Sequence, residues 1–454
     1  MTQSSPYISP REQWSSRAGF ILAAIGGAIG LGNIWKFPYM AGSSGGGAFV
    51  IVYLVAVALV AVPILVAELM LGRHGGQSPP TAMRINAELE NRSRWWSGVG
   101  WIGAGAGFLI LSFYSVIGGW VLDYAFVSVS KGFSGISPDE AQVRFAGLLS
   151  QPLRLLLWFS VFLGLSGFIV SSGLRNGIER ATGILMPMLF LMLLALTLYS
   201  AVAGDMAGGL RFLFAVDFNK ISPAVMLSAV GHAFFSVGVS MGLMMAYGAY
   251  IPQEVSIPRT AVIIAGADTL VAIIAGTAIF PLVFANGLEP GEGPGLIFVT
   301  LPIAFGNMPA GGLFGALFFL LLLFAALTSA IAILEPAVAR VEERRGMTRR
   351  RSALVVIAAL WLLGIGSVLS FNLWEEVKPV AGMNIFDLVD YLTANLMMPT
   401  GGMLIAIFAG WFMRDSTLTQ ELRINTPWLF RIWRLLIRTV TPLAIAAILV
   451  TNLL

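Results

Sequence analysis

The segment GGAIGLGN, residues 26–33, places four glycines in the first long apolar run of the chain, and SVGVSMG, residues 236–242, interrupts a later run. Glycine and serine weaken an α-helix, so both runs are expected to unwind near their middle. Unpaired backbone in lipid costs about several kcal/mol per group, so an unwound stretch survives only where it lines a cavity or binds something. The alternative is that the small residues only allow neighbouring helices to pack closely.

The composition excludes an ordinary soluble enzyme. Of 454 residues, 57% are hydrophobic and 11% are charged, against roughly 25% charged in an average soluble protein. The absence of cysteine excludes disulfide frameworks and thiolate metal sites, and the two histidines, His74 and His232, are too few for a histidine-rich metal centre. An intramembrane enzyme would need a nucleophile with a base, or a metal cluster, and no such set lies near mid-membrane, so no enzymatic activity is expected.

Eleven apolar runs are long enough to cross a bilayer. They lie at about 18–40, 48–72, 97–129, 153–173, 182–203, 223–251, 260–286, 311–339, 352–371, 386–413 and 436–453. The interrupted runs are the first and the sixth, and breaks at corresponding positions of two halves favour an inverted-repeat transporter. The predicted divisions are an N-terminal cytoplasmic segment 1–17, two five-helix repeats 18–203 and 204–413, and a cytoplasmic loop with an eleventh helix 414–454. The glycine- and proline-rich segment 286–310 predicts an external loop with a short helix.

Basic residues are unevenly distributed between the loops. Most of the 27 lysines and arginines fall on the side that carries the N-terminus, which predicts a cytoplasmic N-terminus and, with an odd number of crossings, an external C-terminus. The net charge of +4 is therefore attributed to the excess of basic residues in the cytoplasmic loops and not to a nucleic-acid-binding surface. No signal peptide is predicted at the N-terminus, and the expected location is a cell inner membrane.

Four stretches carry a family resemblance. They are SRAGFILAAIGGAIGLGNIWKFPYMAGSSGGGAF (16–49), PILVAELMLGRHGG (63–76), GHAFFSVGVSMG (231–242) and FAALTSAIAILEP (324–336). Together they resemble the neurotransmitter:sodium symporter family, and eleven spans are typical of bacterial members. The resemblance implies the leucine-transporter fold, a five-plus-five inverted repeat with broken helices one and six. It also implies sodium-coupled symport of a small amino-acid-like solute by alternating access.

Two sodium sites of hard oxygen ligands are implied by the same resemblance. The first would use the carbonyl of Ala28 and the side chains of Asn33, Ser236 and Asp268. The second would use the carbonyls of Gly26, Ile29 and Ala325 and the hydroxyls of Thr328 and Ser329. Asp268 would also supply the fixed negative charge that chloride supplies in many animal relatives, so no chloride requirement is expected.

The implied substrate site suits a carboxylate, because broken-helix ends present unpaired N–H groups. Gly30 stands where monoamine carriers of the family have Asp, which indicates a substrate that brings its own carboxylate. The expected substrate is a neutral, mostly apolar amino acid; a glycine-, GABA- or taurine-like zwitterion is the alternative, as is a non-transporting sensor on the same fold. The implied substrate-binding residues are Gly27, Ala28, Gly30, Leu31, Gly32, Ile110, Tyr114, Phe235, Ser236, Gly238, Met241, Ser329 and Ile333.

Gates are implied on both sides of this site. Outside, Lys36 would approach Asp390, with Asp387 as the fallback partner. Inside, the residues are an ion pair and two aromatic side chains, namely Arg11, Glu343, Trp14 and Tyr250. A rival channel would need a continuous polar pore and no paired helix breaks.

Three buried ionisable residues are assigned separately. Glu68 is interpreted as an acceptor for backbone near the break in the first span, and Glu335 as structural. His232 is either a satisfied polar residue or a group that makes outer-gate opening sensitive to pH. The sequence carries no signal for an oligomeric state.

Overall fold

The computed structural model describes residues 13–289, 293–424 and 426–453, which form helices joined by loops. The first half contains α1 (Arg17–Ala28), α2 (Gly32–Ser43), α3 (Gly47–Gly75), α4 (Pro79–Leu89), α5 (Arg94–Ser130), α6 (Pro138–Leu149), α7 (Pro152–Ser171) and α8 (Leu174–Ala203). The second half contains α9 (Met206–Phe214), α10 (Pro223–Ser236), α11 (Leu243–Gly248), α12 (Ile257–Ala285), α13 (Leu296–Asn307), α14 (Gly311–Arg345), α15 (Arg349–Leu369), α16 (Ile385–Phe412), α17 (Asp415–Leu422) and α18 (Pro427–Thr451).

The eleven predicted spans correspond to three groups of these helices. In the described part of the chain, nine helices are each long and apolar enough to cross a membrane: α3, α5, α7, α8, α12, α14, α15, α16 and α18. The pair α1 and α2, bent by 50°, forms the first span. The sixth span is the pair α10 and α11, separated by residues 237–242. The predicted all-α fold with two broken helices is therefore confirmed.

Several helices extend beyond the apolar runs that predicted them. The fifth span, α8, begins at Leu174, and the eleventh span, α18, begins at Pro427. Each begins about two turns earlier than hydropathy indicates. The added turns carry charged residues such as Arg180 and Arg431, so the helix continues where the apolar run does not. The segment 286–310 contains the short helix α13, as expected.

Local sequence sets several helix ends. The Ser16 side chain accepts a hydrogen bond from the Gly19 amide at 2.9 Å and caps α1. Gly76 and Gly346 follow α3 and α14 with φ of 60° and 61°, a left-handed conformation that glycine adopts without strain.

Helices α1, α5, α12 and α14 form the centre of the molecule. α14 packs against α5, α8 and α1, while α1 also contacts α12. Large apolar side chains on α7, α8 and α15, such as Leu157, Leu191 and Leu362, are exposed. The broken helices are thereby enclosed, and the outer helices present an apolar surface to lipid.

Candidate functional site

The first helix break leaves carbonyl oxygens without helical partners beside α14. α1 ends at Ala28, and the next residue, Ile29, has an extended ψ of 110°. The Ser329 hydroxyl lies 3.0 Å from the Ile29 carbonyl oxygen and 3.4 Å from that of Gly26. A hydroxyl of α14 and two carbonyls of the break therefore meet at one point.

Thr328 completes this neutral group of oxygens. Its hydroxyl donates to the carbonyls of Phe324 and Ala325, at 3.0 and 3.1 Å. A Cβ built on Gly26 would lie 3.2 Å from the Thr328 Cβ, so Thr328 faces the break. The oxygens predicted for the second sodium site thus come from two adjacent segments, and none of their side chains is charged.

A second group of oxygens surrounds the carboxyl group of Asp268. The Asn33 amide nitrogen donates to Asp268 Oδ1 at 2.7 Å, and the Ser236 hydroxyl donates to Oδ2 at 2.7 Å. Asn33 Oδ1 accepts the Gly30 amide at 3.0 Å, which ties the group to the first break. Asn33 and Asp268 are fully buried. Three of the four predicted members are therefore in contact, and the fourth, Ala28, lies buried at the end of α1.

Sequence reasoning missed Tyr53 in this group. Its hydroxyl lies 3.5 Å from Asp268 Oδ2, and its ring packs 5.4 Å from that of His232. Tyr53 lies on α3, inside an apolar run with no local sign of a site. Only the packing of α3 against the broken helices identifies it.

The donor set suits a monovalent cation. The described residues contain no group of three or more His, Cys, Asp or Glu side chains that could hold a metal ion. One carboxylate with amide, hydroxyl and carbonyl oxygens in a dehydrated place matches the preference of sodium for hard oxygen ligands.

An unpaired hydroxyl lies on the other side of the first break. Tyr114 is 8% exposed, and its hydroxyl makes no hydrogen bond of ordinary geometry in the described structure, although the Leu31 backbone and the Ser329 side chain lie near it. This oxygen would lie 3.3 Å from a Cβ on Gly30, and the Ser329 hydroxyl would lie 2.5 Å from it. The missing side chain of Gly30 therefore lets Ser329 and the buried Tyr114 hydroxyl approach the first break closely.

Apolar side chains line the rest of this space. The Met241 backbone carbonyl and a methyl group of Ile333 both lie next to Gly107 of α5, and a Cβ on Gly32 would touch the Phe235 ring at 3.5 Å. Ile110, Met241 and Ile333 are buried. The predicted lining residues therefore come from α5, α14 and the sixth span.

Leu243 is a lining residue that sequence reasoning missed. One of its methyl carbons would lie 3.4 Å from a Cβ on Gly27, and the other 3.4 Å from a Cβ on Gly238. It fills the gap where the two breaks face each other. Its position directly after Gly242 was the available signal.

The sixth-span break is held by a buried acid, which corrects the interpretation of Glu68. Its carboxylate accepts the backbone amide of Ser240, not a group of the first break. Gly238, Ser240 and Gly242 have φ of 70°, 68° and 75°, so this segment turns through left-handed backbone. The acid satisfies an amide that the turn leaves without a helical partner.

The outer gate differs in detail from the expected ion pair. The Lys36 ammonium lies 4.2 Å from the centre of the Phe235 ring, a cation–π contact. Neither Asp390 nor Asp387 forms an ion pair with it within the described residues. A pocket of about 340 Å³ lies beside Lys36 and Phe235 and reaches α16 and α18. The aromatic ring, not a carboxylate, holds the lysine in this conformation.

His232 is not a satisfied polar residue. It is 1% exposed, and in the described structure neither ring nitrogen has a hydrogen-bond partner. Phe37, Phe49 and Tyr53 surround its ring at 5.4–6.0 Å between centroids. The first alternative for this histidine is therefore wrong, and its role in pH sensitivity stays a prediction.

The opposite side of the site is closed by aromatic packing. Trp14 is 3% exposed, donates to the Tyr247 carbonyl at 3.4 Å and packs edge-on against Tyr250 at 6.4 Å. The Tyr250 hydroxyl donates to Glu335 at 2.8 Å, and Arg349 pairs with the same carboxylate. Glu335 therefore has the structural position that was expected.

The predicted inner ion pair falls partly outside the described residues, because Arg11 is not among them. Its predicted partner, Glu343, accepts the Ser78 amide at 3.0 Å and pairs with Arg340 at 3.0 Å.

Comparison with known proteins gives one consistent result. The sequence model of the Sodium:neurotransmitter symporter family matches residues 11–138 and 140–454. An uncharacterized sodium-dependent transporter of Bacillus subtilis, YhdH, is 38% identical over 436 residues, which cover 95% of this chain and 96% of the relative. One of Haemophilus influenzae is 31% identical, with 98% of each chain covered. The crystal structure of MhsT in complex with L-phenylalanine is 41% identical, covers 97% of this chain and 100% of that one, and has a TM-score of 0.89.

Proposed function

Because the chain belongs to the sodium:neurotransmitter symporter family, we propose that it carries a neutral amino acid with an apolar side chain across the membrane together with sodium. The observation that carries the substrate class is the unpaired, buried Tyr114 hydroxyl beside Gly30. A buried donor without a partner costs about 1–3 kcal/mol, which a bound carboxylate would offset. The complex of the similar MhsT with L-phenylalanine supports the same class.

The ligand's two ends would be recognised differently. Its carboxylate would bind the Tyr114 hydroxyl, the backbone amides of Leu31 and Gly32, and the first sodium ion. Its amine would meet carbonyl oxygens of the first break, and its side chain the apolar surface of Ile110, Met241 and Ile333. The side chain at position 30 separates this arrangement from one for monoamines, because Gly30 offers an amine no carboxylate.

The sodium ions would occupy the two oxygen groups. The first would replace the hydrogen bonds that Asn33 and Ser236 make to Asp268, with the Ala28 carbonyl as a further ligand. The second would bind the carbonyls of Gly26, Ile29 and Ala325 and the hydroxyls of Thr328 and Ser329. Asp268 provides a fixed negative charge at the first site, so transport would proceed without chloride.

Sodium coupling supplies enough energy for accumulation. One charge crossing 100 mV gains about 2.3 kcal/mol, and a tenfold sodium gradient adds about 1.4 kcal/mol. Two ions together therefore supply roughly 7 kcal/mol, which sustains a substrate gradient on the order of 10⁵-fold.

The repeats 18–203 and 204–413 would move against each other in alternating access, with the protein in a cell inner membrane and its N-terminus cytoplasmic. Lys36 with Phe235 would form the outer gate, where Asp390 becomes the partner of the lysine after further closure. Trp14, Tyr250 and the Arg11–Glu343 pair would form the inner gate.

Uptake into proteoliposomes tests this function. L-Phenylalanine should accumulate when sodium is high outside and should not when potassium replaces sodium. Counterflow of labelled L-phenylalanine against preloaded substrate should occur, which a non-transporting sensor would not support. When Asp268→Ala is measured in this assay, Thr277→Ala is its matched control. Thr277 lies on α12 with Asp268, and its hydroxyl only donates to the Ile273 carbonyl at 2.9 Å. Sodium-dependent accumulation of GABA or taurine in place of L-phenylalanine would contradict the proposed substrate class.

A further inference from the structure

A groove of about 650 Å³ opens between α5, α14 and α15, where α14 ends and α15 begins. Phe108 of α5 and Val355 and Ala359 of α15 give it apolar walls. Trp101, 46% exposed, and Met347 also line it, and Trp101 lies within the first two turns of α5. An exposed tryptophan near the start of a membrane-spanning helix is typical of the level of lipid headgroups.

Three arginines line the same groove. Arg340 lies 4.8 Å from the centre of the Trp101 ring and pairs with Glu343 at 3.0 Å. Arg344 and Arg345 are exposed, and neither forms an ion pair or hydrogen bond in the part of the chain that the structure describes. Two guanidinium groups without carboxylate partners therefore border an apolar surface.

The nearby carboxylates are already engaged. Glu335 pairs with Arg349, Glu342 lies 3.7 Å from the same arginine, and Glu343 holds Arg340. Exposed Arg350 and Arg351 follow at the start of α15. The groove consequently opens on a basic surface whose cations outnumber their available acidic partners.

We propose that this groove binds an anionic glycerophospholipid. Its phosphate diester lies between Arg344 and Arg345, and its acyl chains follow Phe108, Val355 and Ala359. Clusters of basic residues next to a membrane-spanning helix attract anionic lipid headgroups. A soluble phosphate would satisfy the arginines but leave the apolar walls uncovered, and a zwitterionic lipid would leave their charge uncompensated.

Such a lipid would join three helices. α5 and α14 also carry Tyr114 and Ser329, at the proposed substrate site. A ligand that binds only the folded state raises apparent stability, so the lipid should raise the melting temperature of the purified protein. The proposal itself does not depend on which solute the protein carries.

Lipid titration of the full-length protein in detergent, followed by native mass spectrometry, tests the proposal. The probes are dioleoylphosphatidylglycerol, dioleoylphosphatidylcholine and, as a headgroup without acyl chains, sn-glycerol 3-phosphate. The double variant Arg344→Gln, Arg345→Gln should bind phosphatidylglycerol about 30-fold more weakly, roughly fivefold for each arginine removed. The matched variant Arg350→Gln, Arg351→Gln loses the same charge outside the groove, so it keeps the direct contacts to the phosphate and should weaken binding clearly less than the first variant.

A third variant tests the apolar part of the groove. Ala359→Phe fills the space between the walls and leaves every arginine in place, so it should also weaken phosphatidylglycerol binding. Melting temperatures without added lipid show whether each variant is folded. Equal weakening by both double variants, phosphatidylcholine binding as tight as phosphatidylglycerol, or glycerol 3-phosphate competing as well as the lipid would each overturn the proposal.

Discussion

The two helix breaks solve the same problem in different ways. At the first break, the carbonyls of Gly26 and Ile29 face the Ser329 hydroxyl, and the Gly30 amide is held by Asn33. At the sixth-span break, the backbone turns through three left-handed residues, and the Ser240 amide is held by Glu68. The first break thus directs oxygen atoms into the site, while the sixth is closed by an acid of the protein itself.

This difference separates the proposed ion-binding groups from a structural group. Glu68 accepts the Ser240 amide of the sixth break, so its carboxyl group serves the fold. Asp268 contacts Asn33 of the first span and Ser236 of the sixth, so its carboxyl group lies where both halves meet. Changes at the two acids should therefore have different consequences.

Removing the charge at Asp268 should have the largest effect. Asp268→Ala deletes the carboxylate of the first group and should weaken sodium binding by about 100-fold, which corresponds to about 2.7 kcal/mol. Sodium titration followed by thermal stability measures this change. Thr277→Ala on the same helix should leave sodium affinity unchanged. An equal loss in both variants would show that any substitution on α12 disturbs sodium binding, and not the loss of the carboxylate in particular.

Glu68→Ala should affect stability and not sodium affinity. It leaves the Ser240 amide buried without a partner, which costs about 1–3 kcal/mol. The expected result is a lower melting temperature in potassium and in sodium, with the sodium titration midpoint preserved. Glu68→Gln keeps an acceptor oxygen and should restore most of the stability. If Glu68→Ala instead abolished sodium binding, the separation of the two breaks would be wrong.

Gly30→Ala tests the space beside the first break. The added Cβ would lie 2.5 Å from the Ser329 hydroxyl, whereas a Cβ on Gly32 would meet Phe235 at an ordinary 3.5 Å. We expect Gly30→Ala to weaken L-phenylalanine binding by about tenfold, or about 1.4 kcal/mol. Gly32→Ala should change binding much less. Equal effects would place the ligand away from Gly30.

Ser240→Gly should give a small gain in stability. Ser240 has φ of 68°, a conformation that costs an L-residue roughly 1 kcal/mol relative to glycine. Ser240→Ala keeps this strain and serves as the control. Thermal melting of the two variants should therefore differ, with the glycine variant higher; no difference would show that the turn of the sixth break is unstrained.

The smallest effect is expected outside both breaks, at Glu421 on α17. Burial alone would raise the pKa of Glu421, but the hydrogen bond from His74 and the charges of His74 and Arg73 outweigh it, and the pKa is lowered. A lowered folded-state pKa contributes stability above the ordinary glutamate pKa, and this contribution disappears as the pH falls through the lowered value.

Melting temperatures of the wild type and Glu421→Gln test this pH dependence. Their difference should be present above the ordinary glutamate pKa and should shrink as the pH falls from that value through the lowered one. A difference that grew over this lower range would contradict the assigned direction.

Hydropathy and glycine positions were enough to predict the spans and both breaks. Long apolar runs directly indicate burial in lipid or protein. The interruptions at 26–33 and 236–242 indicate where the helices end. The helix ends at Leu174 and Pro427 were placed too late because helices continue through charged turns that hydropathy does not count.

Contacts between distant helices were harder to predict. Glu68 was assigned to the wrong break, and the roles of Tyr53 and Leu243 were missed, because each depends on how helices far apart in sequence are rotated against one another. Lys36 was predicted to approach Asp390, but its contact with the Phe235 ring depends on conformation, which a sequence does not specify.

Thermal stabilisation by L-phenylalanine in sodium and in potassium tests the central claim, that a carboxylate ligand and sodium bind together at the first break. Phenethylamine, which lacks the carboxylate, is the matched ligand. The account predicts stabilisation by L-phenylalanine in sodium only, little by phenethylamine in either salt, and tighter apparent sodium binding when L-phenylalanine is present. Equal stabilisation by L-phenylalanine in potassium, or by phenethylamine in sodium, would contradict it.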